Sequence, residues 1–168
     1  DGELVAMATI LTLVQKKSPF PTITKSYLQE KLNALTETTK PKWGLMTAQH
    51  LVEHFEFFMQ QALGKIPCEI KTPEKYLEET QDSLWNYRPM PKSFDHPVLK
   101  KGEVEDLRFG SLEEAKMEFW KSYEELELFF KENPKATVPS NVFGNVTRYE
   151  WKLMEGKHYA LHFEQFGI

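Results

Sequence analysis

Thr147-Arg-Tyr-Glu-Trp-Lys-Leu-Met-Glu-Gly-Lys-His-Tyr-Ala-Leu-His-Phe-Glu-Gln-Phe-Gly167 is the stretch whose reading decides the fold. Thr147-x-x-Glu150 has the form of a capping box, in which two side chains satisfy each other's unpaired N–H groups and open a helix. Trp151, Met154, His158, Leu161, His162 and Gln165 then share one flank of that helix, and Gly167 supplies its stop. His158 and His162 are four residues apart, a spacing that stacks two imidazoles on one helical face with Cβ atoms about 5–6 Å apart. Two neutral imidazoles so placed can reach one metal ion and need one or two further ligands from elsewhere.

Working outward, Ser111-Leu-Glu-Glu114 is a second capping-box pattern and opens a helix that ends near Asn133-Pro134. Leu112, Ala115, Phe119, Leu126 and Phe130 form its inward stripe, and its many glutamates take the opposite, solvated face. Thr47 is placed to cap a helix running to about Leu63, with Gly64 to end it. Leu51, Phe55, Phe58 and Met59 make the stripe of that helix, and His50 and His54 lie on or beside it. Tyr27, Leu28, Leu32 and Leu35 recur at three- and four-residue steps and predict a first helix over about 23–35. Residues 65–110 hold Pro67, Pro73, Pro89, Pro91 and Pro97, which exclude one continuous helix, although Tyr76 to Tyr87 reads as a short one. Four helices, a long crossover between the second and third, and no convincing sheet predict an all-α four-helix bundle over 18–168.

At 168 residues the chain is long enough for one domain with a proper core. A net charge of −4 with no basic block argues against nucleic acid as a main partner. The apolar run Leu4 to Val14 is too short to span a bilayer, and it lacks the basic leader and cleavage site of a signal peptide. A single cysteine, Cys68, excludes an internal disulfide and suits a reducing cytoplasm. The expectation is a cytoplasmic protein with no membrane partner. Residues 1–17, rich in Val, Ile, Thr and Leu, read as an extended segment with no partner strand, which suggests a piece cut from a longer polypeptide.

Five histidines occur, and four of them form two i, i+4 pairs, His50/His54 and His158/His162. Helical bundles build metal sites from inward residues on facing helices. Three histidines with an open position form a catalytic arrangement that activates bound water. His96, before Pro97 in the long connection, has no such pairing and reads as a packed or surface ring. Cys68 reads as a packed thiol. Arg88, Arg108 and Arg148 are the only arginines, and spacing does not choose among them as anchors for an anionic group.

Trp43-Gly-x-Met-Thr-Ala-Gln49, His54, Phe143-Gly-x-x-Thr-x-x-Glu-Trp151, Lys157-His158, His162 and Gln165-Phe-Gly167 together resemble the DinB/YfiT-like metal-binding superfamily. The likeness is to an uncharacterised branch that ends in His-x-x-x-His followed by Gln-Phe-Gly. The resemblance implies a four-helix bundle with His54, His158 and His162 as ligands to a divalent metal, nickel or zinc. It also implies activation of water or a thiol, hence a hydrolase or a thiol-dependent S-transferase acting on a small molecule. His50 falls outside the triad, as an accessory at the pocket mouth, a proton shuttle or a packed ring. Glu53, Glu155 and Gln165 are candidates, by sequence proximity alone, to orient the ligand rings.

Residues 1–16 resemble the last strand of the MaoC-like hydratase domain found in the bifunctional aldehyde dehydrogenase–enoyl hydratases of phenylacetate degradation. That resemblance implies a covalently preceding MaoC-like domain. It opens a rival reading, a non-catalytic C-terminal accessory or assembly domain. Oxepin-CoA hydrolase and aldehyde dehydrogenase activities would then belong to other domains. A homodimer through an exposed helix face fits either reading.

Overall fold

The computed structural model describes residues 23–86, 88–92, 96–97 and 99–168; the segment 1–17, expected to be extended, lies outside them. The first helix, α1 (Lys25–Ala34), starts where the Thr24 hydroxyl accepts the Tyr27 N–H at 3.1 Å, and it buries Leu28 and Leu32. Helix α2 (Ala48–Ala62) is capped by Thr47 and presents Leu51, Val52, Phe55 and Met59 to the core. Gly64, at φ +73°, turns the chain away just past its end. Helix α3 (Glu74–Asp82) runs into a single 3-10 turn, Ser83–Trp85, which buries Leu84.

Helix α4 (Leu112–Glu132) packs along α2. It buries Leu112, Ala115, Phe119, Ser122, Leu126 and Phe130, the predicted stripe with one serine added. Its start differs in detail from a reciprocal capping box. Ser111 accepts the Glu114 N–H at 3.1 Å, but Glu114 reaches past it to the Gly110 N–H at 2.8 Å. The last helix, α5 (Arg148–Phe166), does open with a full capping box between Thr147 and Glu150, and Gly167 at φ +68° ends it in the left-handed conformation.

The molecule is mostly helical, and it also holds a small sheet where none was expected. Strands β1 (Thr137–Ser140) and β2 (Gly144–Thr147) pair antiparallel, with Val138 opposite Val146 and Pro139 opposite Asn145. Val138 and Val146 point inward and are fully buried. Pro139, which lacks an N–H, is tolerated because a two-stranded ribbon consists of edges. The Ser140 hydroxyl accepts the N–H groups of Val142 and Phe143 and so closes the turn between the strands.

The long connection between α2 and α4 is fastened near both of its ends. Lys71 donates its N–H to the Asn141 carbonyl, and Thr72 its hydroxyl to that of Val142. Asn141 answers with its side-chain amide to the Glu69 carbonyl, while Gln81 donates to Phe143. Lys157 holds the end of the 3-10 turn through the Ser83 carbonyl at 2.8 Å and the Asn86 amide oxygen at 3.0 Å. At the far end, the buried Glu53 carboxylate accepts the backbone N–H groups of Arg108 and Phe109 at 2.7–3.1 Å. Arg108 pairs with the buried Glu56 at 2.6 Å. A connection fastened in this way can serve as a wall. Among the described residues no helix is long and apolar enough to cross a membrane.

Candidate metal centre

Helix α2 contributes His54, and α5 contributes His158 and His162. The three rings meet, with centroids 4.7–4.8 Å apart, and their ligand nitrogens lie within 4.8 Å of one another. His54 Nε2 and His158 Nε2 are 2.8 Å apart. Three imidazole donors at this separation could hold one metal ion.

The rings are held by aromatic edges. Phe55 stands 5.3 Å from His158 and 5.6 Å from His162, and Phe58 stands 5.0 Å from His54. Position i+1 of His54 thus packs behind the site and position i+4 beside it, which follows from helical spacing.

Hydrogen bonds decide which ring nitrogen faces inward. The His162 Nδ1–H donates to Gln165 Oε1 at 2.7 Å, which leaves Nε2 with its lone pair toward the other two histidines. Gln165 is itself oriented, because its Nε2 donates to the Trp43 carbonyl at 2.9 Å. Its backbone carbonyl accepts the Lys42 N–H at 2.7 Å. Gly44 is required beside it. Its φ is +83°, and a Cβ there would stand 2.8 Å from Gln165 Nε2. The Trp43-Gly44 and Gln165 positions, far apart in sequence, are therefore one contact.

His158 Nδ1 faces Glu155 Oε1 at 3.8 Å, and that buried oxygen has no hydrogen-bond partner among the described residues. A buried carboxylate oxygen left unsatisfied beside an imidazole fits a ring whose other nitrogen is ligated, since such rings usually turn their N–H to a carboxylate or carbonyl. Burial, aided by the charges of His162, His158 and His96, holds His54 well below the usual imidazole range. Burial and the His158 charge bring His162 down to about 3, against a small opposing effect of Gln165. Both rings are neutral near pH 7, the form that ligates a metal. Tyr159, stacked against His158, is pushed well up by burial and by Glu155, so it stays a phenol.

The triad opens onto a cleft of about 900 Å³ whose walls include Met46, Phe58, Phe143, Met154 and Leu161. The connection closes part of it, and His96 is among the lining residues.

The other sequence candidates separate. His50 lines the cleft, but its Nδ1 accepts the Thr47 N–H at 3.1 Å and lies 2.7 Å from the Thr47 hydroxyl. It does the work a glutamate or glutamine does in a capping box. The spacing Thr47-x-x-His50 was the available signal. Of the three suggested orienting residues, Gln165 and Glu155 stand beside ligand rings, whereas Glu53 instead pins residues 108–109. Burial pushes the Cys68 thiol up, which suits a packed group rather than a nucleophile. Arg148 pairs with Glu127 at 3.3 Å, while Arg108 reaches the cleft already paired with Glu56. His96, read from the sequence as a packed or surface ring, lies with its ring centroid 5.0 Å from that of Phe58 at the cleft.

Compared with protein-family models, curated proteins and solved structures, the chain gives no match.

Proposed function

We propose that this chain is a metal-dependent enzyme domain of the DinB-like kind. In this reading α1, α2, α4 and α5 form the four-helix framework, and His54, His158 and His162 hold a divalent ion, nickel or zinc. Such an ion supplies Lewis acidity, lowering the pKa of a water or a thiol presented to a small-molecule substrate. That chemistry suits a hydrolase or a thiol-dependent S-transferase. The chain's own residues do the rest. Gln165 and Glu155 orient two of the rings, Phe55 and Phe58 exclude water from their edges, and the cleft walls receive an apolar substrate body.

The observation that carries this reading is the meeting of three imidazoles, two of them held neutral by burial, at the floor of a cleft. A histidine cluster serving only to fill a core has no need of an adjoining cleft of this size. Elemental analysis of the chain purified without chelators tests it. About one equivalent of a transition metal is expected in the wild type, with loss in His158→Ala and His162→Ala. A wild-type protein that carries no metal, and takes up none on addition, contradicts the proposal.

A further inference from the structure

Two side-chain amides in the cleft wall are only half used. Gln61 and Asn141 both line the cleft, and they are 4 % and 2 % exposed. Gln61 donates from Nε2 to the Pro67 carbonyl at 3.0 Å, and Asn141 from Nδ2 to the Glu69 carbonyl at 2.7 Å. A carbonyl can only accept, so these partners fix which amide atom is the nitrogen. Among the described residues, Asn141 Oδ1 is buried with no hydrogen-bond partner, and Gln61 Oε1 accepts no hydrogen bond. Gln165, a third buried amide of the same wall, uses both of its ends, on His162 and on the Trp43 carbonyl. Fastening the connection accounts for the two N–H groups and leaves the two oxygens unexplained. A hydroxyl could hold the same carbonyls without burying an amide acceptor, and an acceptor left unsatisfied in the interior is costly.

Helix α2 sets where these amides stand relative to the triad. His54, Phe58 and Gln61 occupy positions i, i+4 and i+7, hence one face of the helix. Seven residues rise about 10 Å. Phe58 lies between, its ring centroid 5.0 Å from that of His54. Pro67 and Glu69 are two residues apart, so the carbonyls that hold the two amides are separated by about 7 Å or less. The cleft thus has a metal-binding end, an apolar middle and a far end with two acceptors. Neither amide carries charge, and Glu69 is paired with Lys71. That end suits a neutral donor rather than an ammonium.

We propose that Gln61 and Asn141 form a distal recognition subsite of this centre, taking a neutral N–H or O–H donor on a substrate whose other end meets the metal. The inference rests on the triad holding a metal, and the test separates the two. The full chain is stripped of metal and loaded with cobalt(II). Alkanethiols of increasing length, unsubstituted or ending in a hydroxyl or a primary amide, are then titrated while the thiolate–cobalt absorption is followed.

In the wild type the donor-bearing thiols are expected to gain over the unsubstituted ones at one chain length, by about 5-fold, the scale of one neutral hydrogen bond. Shorter thiols should show no gain. Gln61→Met, which keeps the side-chain length, is expected to remove the gain while cobalt and unsubstituted-thiol affinities stay within about 2-fold. The series that peaks, hydroxyl or amide, identifies the donor as O–H or N–H. A gain absent at every length in the wild type, a result that needs no variant, overturns the proposal. So does a peak of the same height in Gln61→Met. Failure of the wild type to bind cobalt overturns the metal centre, and the subsite with it.

Discussion

His50 and His54 on α2 have the same four-residue spacing as His158 and His162 on α5, yet the two pairs are used differently. On α5 both rings reach the centre, because α5 is buried on more than one side at that level, with Glu155, Lys157, His158, Tyr159 and Gln165 all buried. On α2 only His54 does so. His50 sits in the first turn of its helix, where backbone N–H groups lack intrahelical partners, and its Nδ1 is drawn to the Thr47 N–H. Spacing therefore sets which rings share a face, and position along the helix sets what each ring can do.

The contrast can be broken at several points. His158→Ala is expected to reduce metal affinity by at least about 100-fold, since an apparent site energy of roughly 10–16 kcal/mol is spread over four ligands or fewer. Competition against a chromophoric chelator measures this, and His50→Ala in the same assay should match the wild type. Equal losses in the two variants would erase the distinction between the pairs.

Gln165→Ala removes the acceptor that sets the His162 tautomer. The expected cost is about 10- to 100-fold in metal affinity with the helical circular dichroism unchanged. Gly44→Ala should approach the same result, because its Cβ would press on the Gln165 amide from the other side.

Acid should destabilise the metal-free protein through this centre. Below pH 6.5 the unfolded chain protonates its histidines, whereas folded His162 stays neutral to about 3 and His96 to about 4. Their contribution is fully present above pH 6.5 and is lost as the pH falls toward 3–4, at about 1.4 kcal/mol per pH unit for each group at most. Urea midpoints across that range measure it, and His162→Gln should flatten the slope. The smallest expected effect is that of His50→Ala on stability. Loss of half of a capping interaction should cost about 1 kcal/mol in thermal or urea unfolding.

Much of this arrangement is legible in the residues. Thr47, Ser111 and Thr147 mark three helix starts, and Gly64 and Gly167 mark two stops, because capping chemistry is local. The apolar stripes of α2 and α4 follow from period alone. The β-hairpin was missed because its strands are four residues long, one contains Pro139, and their turn has no Asn-Gly signal; it is held by its buried valines, by packing on α2 and α5 and by hydrogen bonds to the connection, none of which is local in sequence. Glu53 was misread because its partners, residues 108–109, lie more than fifty positions away. That His96 lines the cleft was not legible for the same reason, since nothing in a run of prolines tells which way the chain passes. Gln165 was noticed only as a neighbour of His162 in sequence. Its seat on Trp43 and Gly44 needed the fold.

The central claim is that His54, His158 and His162 hold one metal through their inward nitrogens. Anomalous diffraction at the zinc edge from crystals of the zinc-loaded chain tests it most directly. The account predicts a single strong peak about 2.0–2.1 Å from Nε2 of each of the three histidines. A peak at another group of residues, or none at this one in a fully loaded crystal, would contradict it.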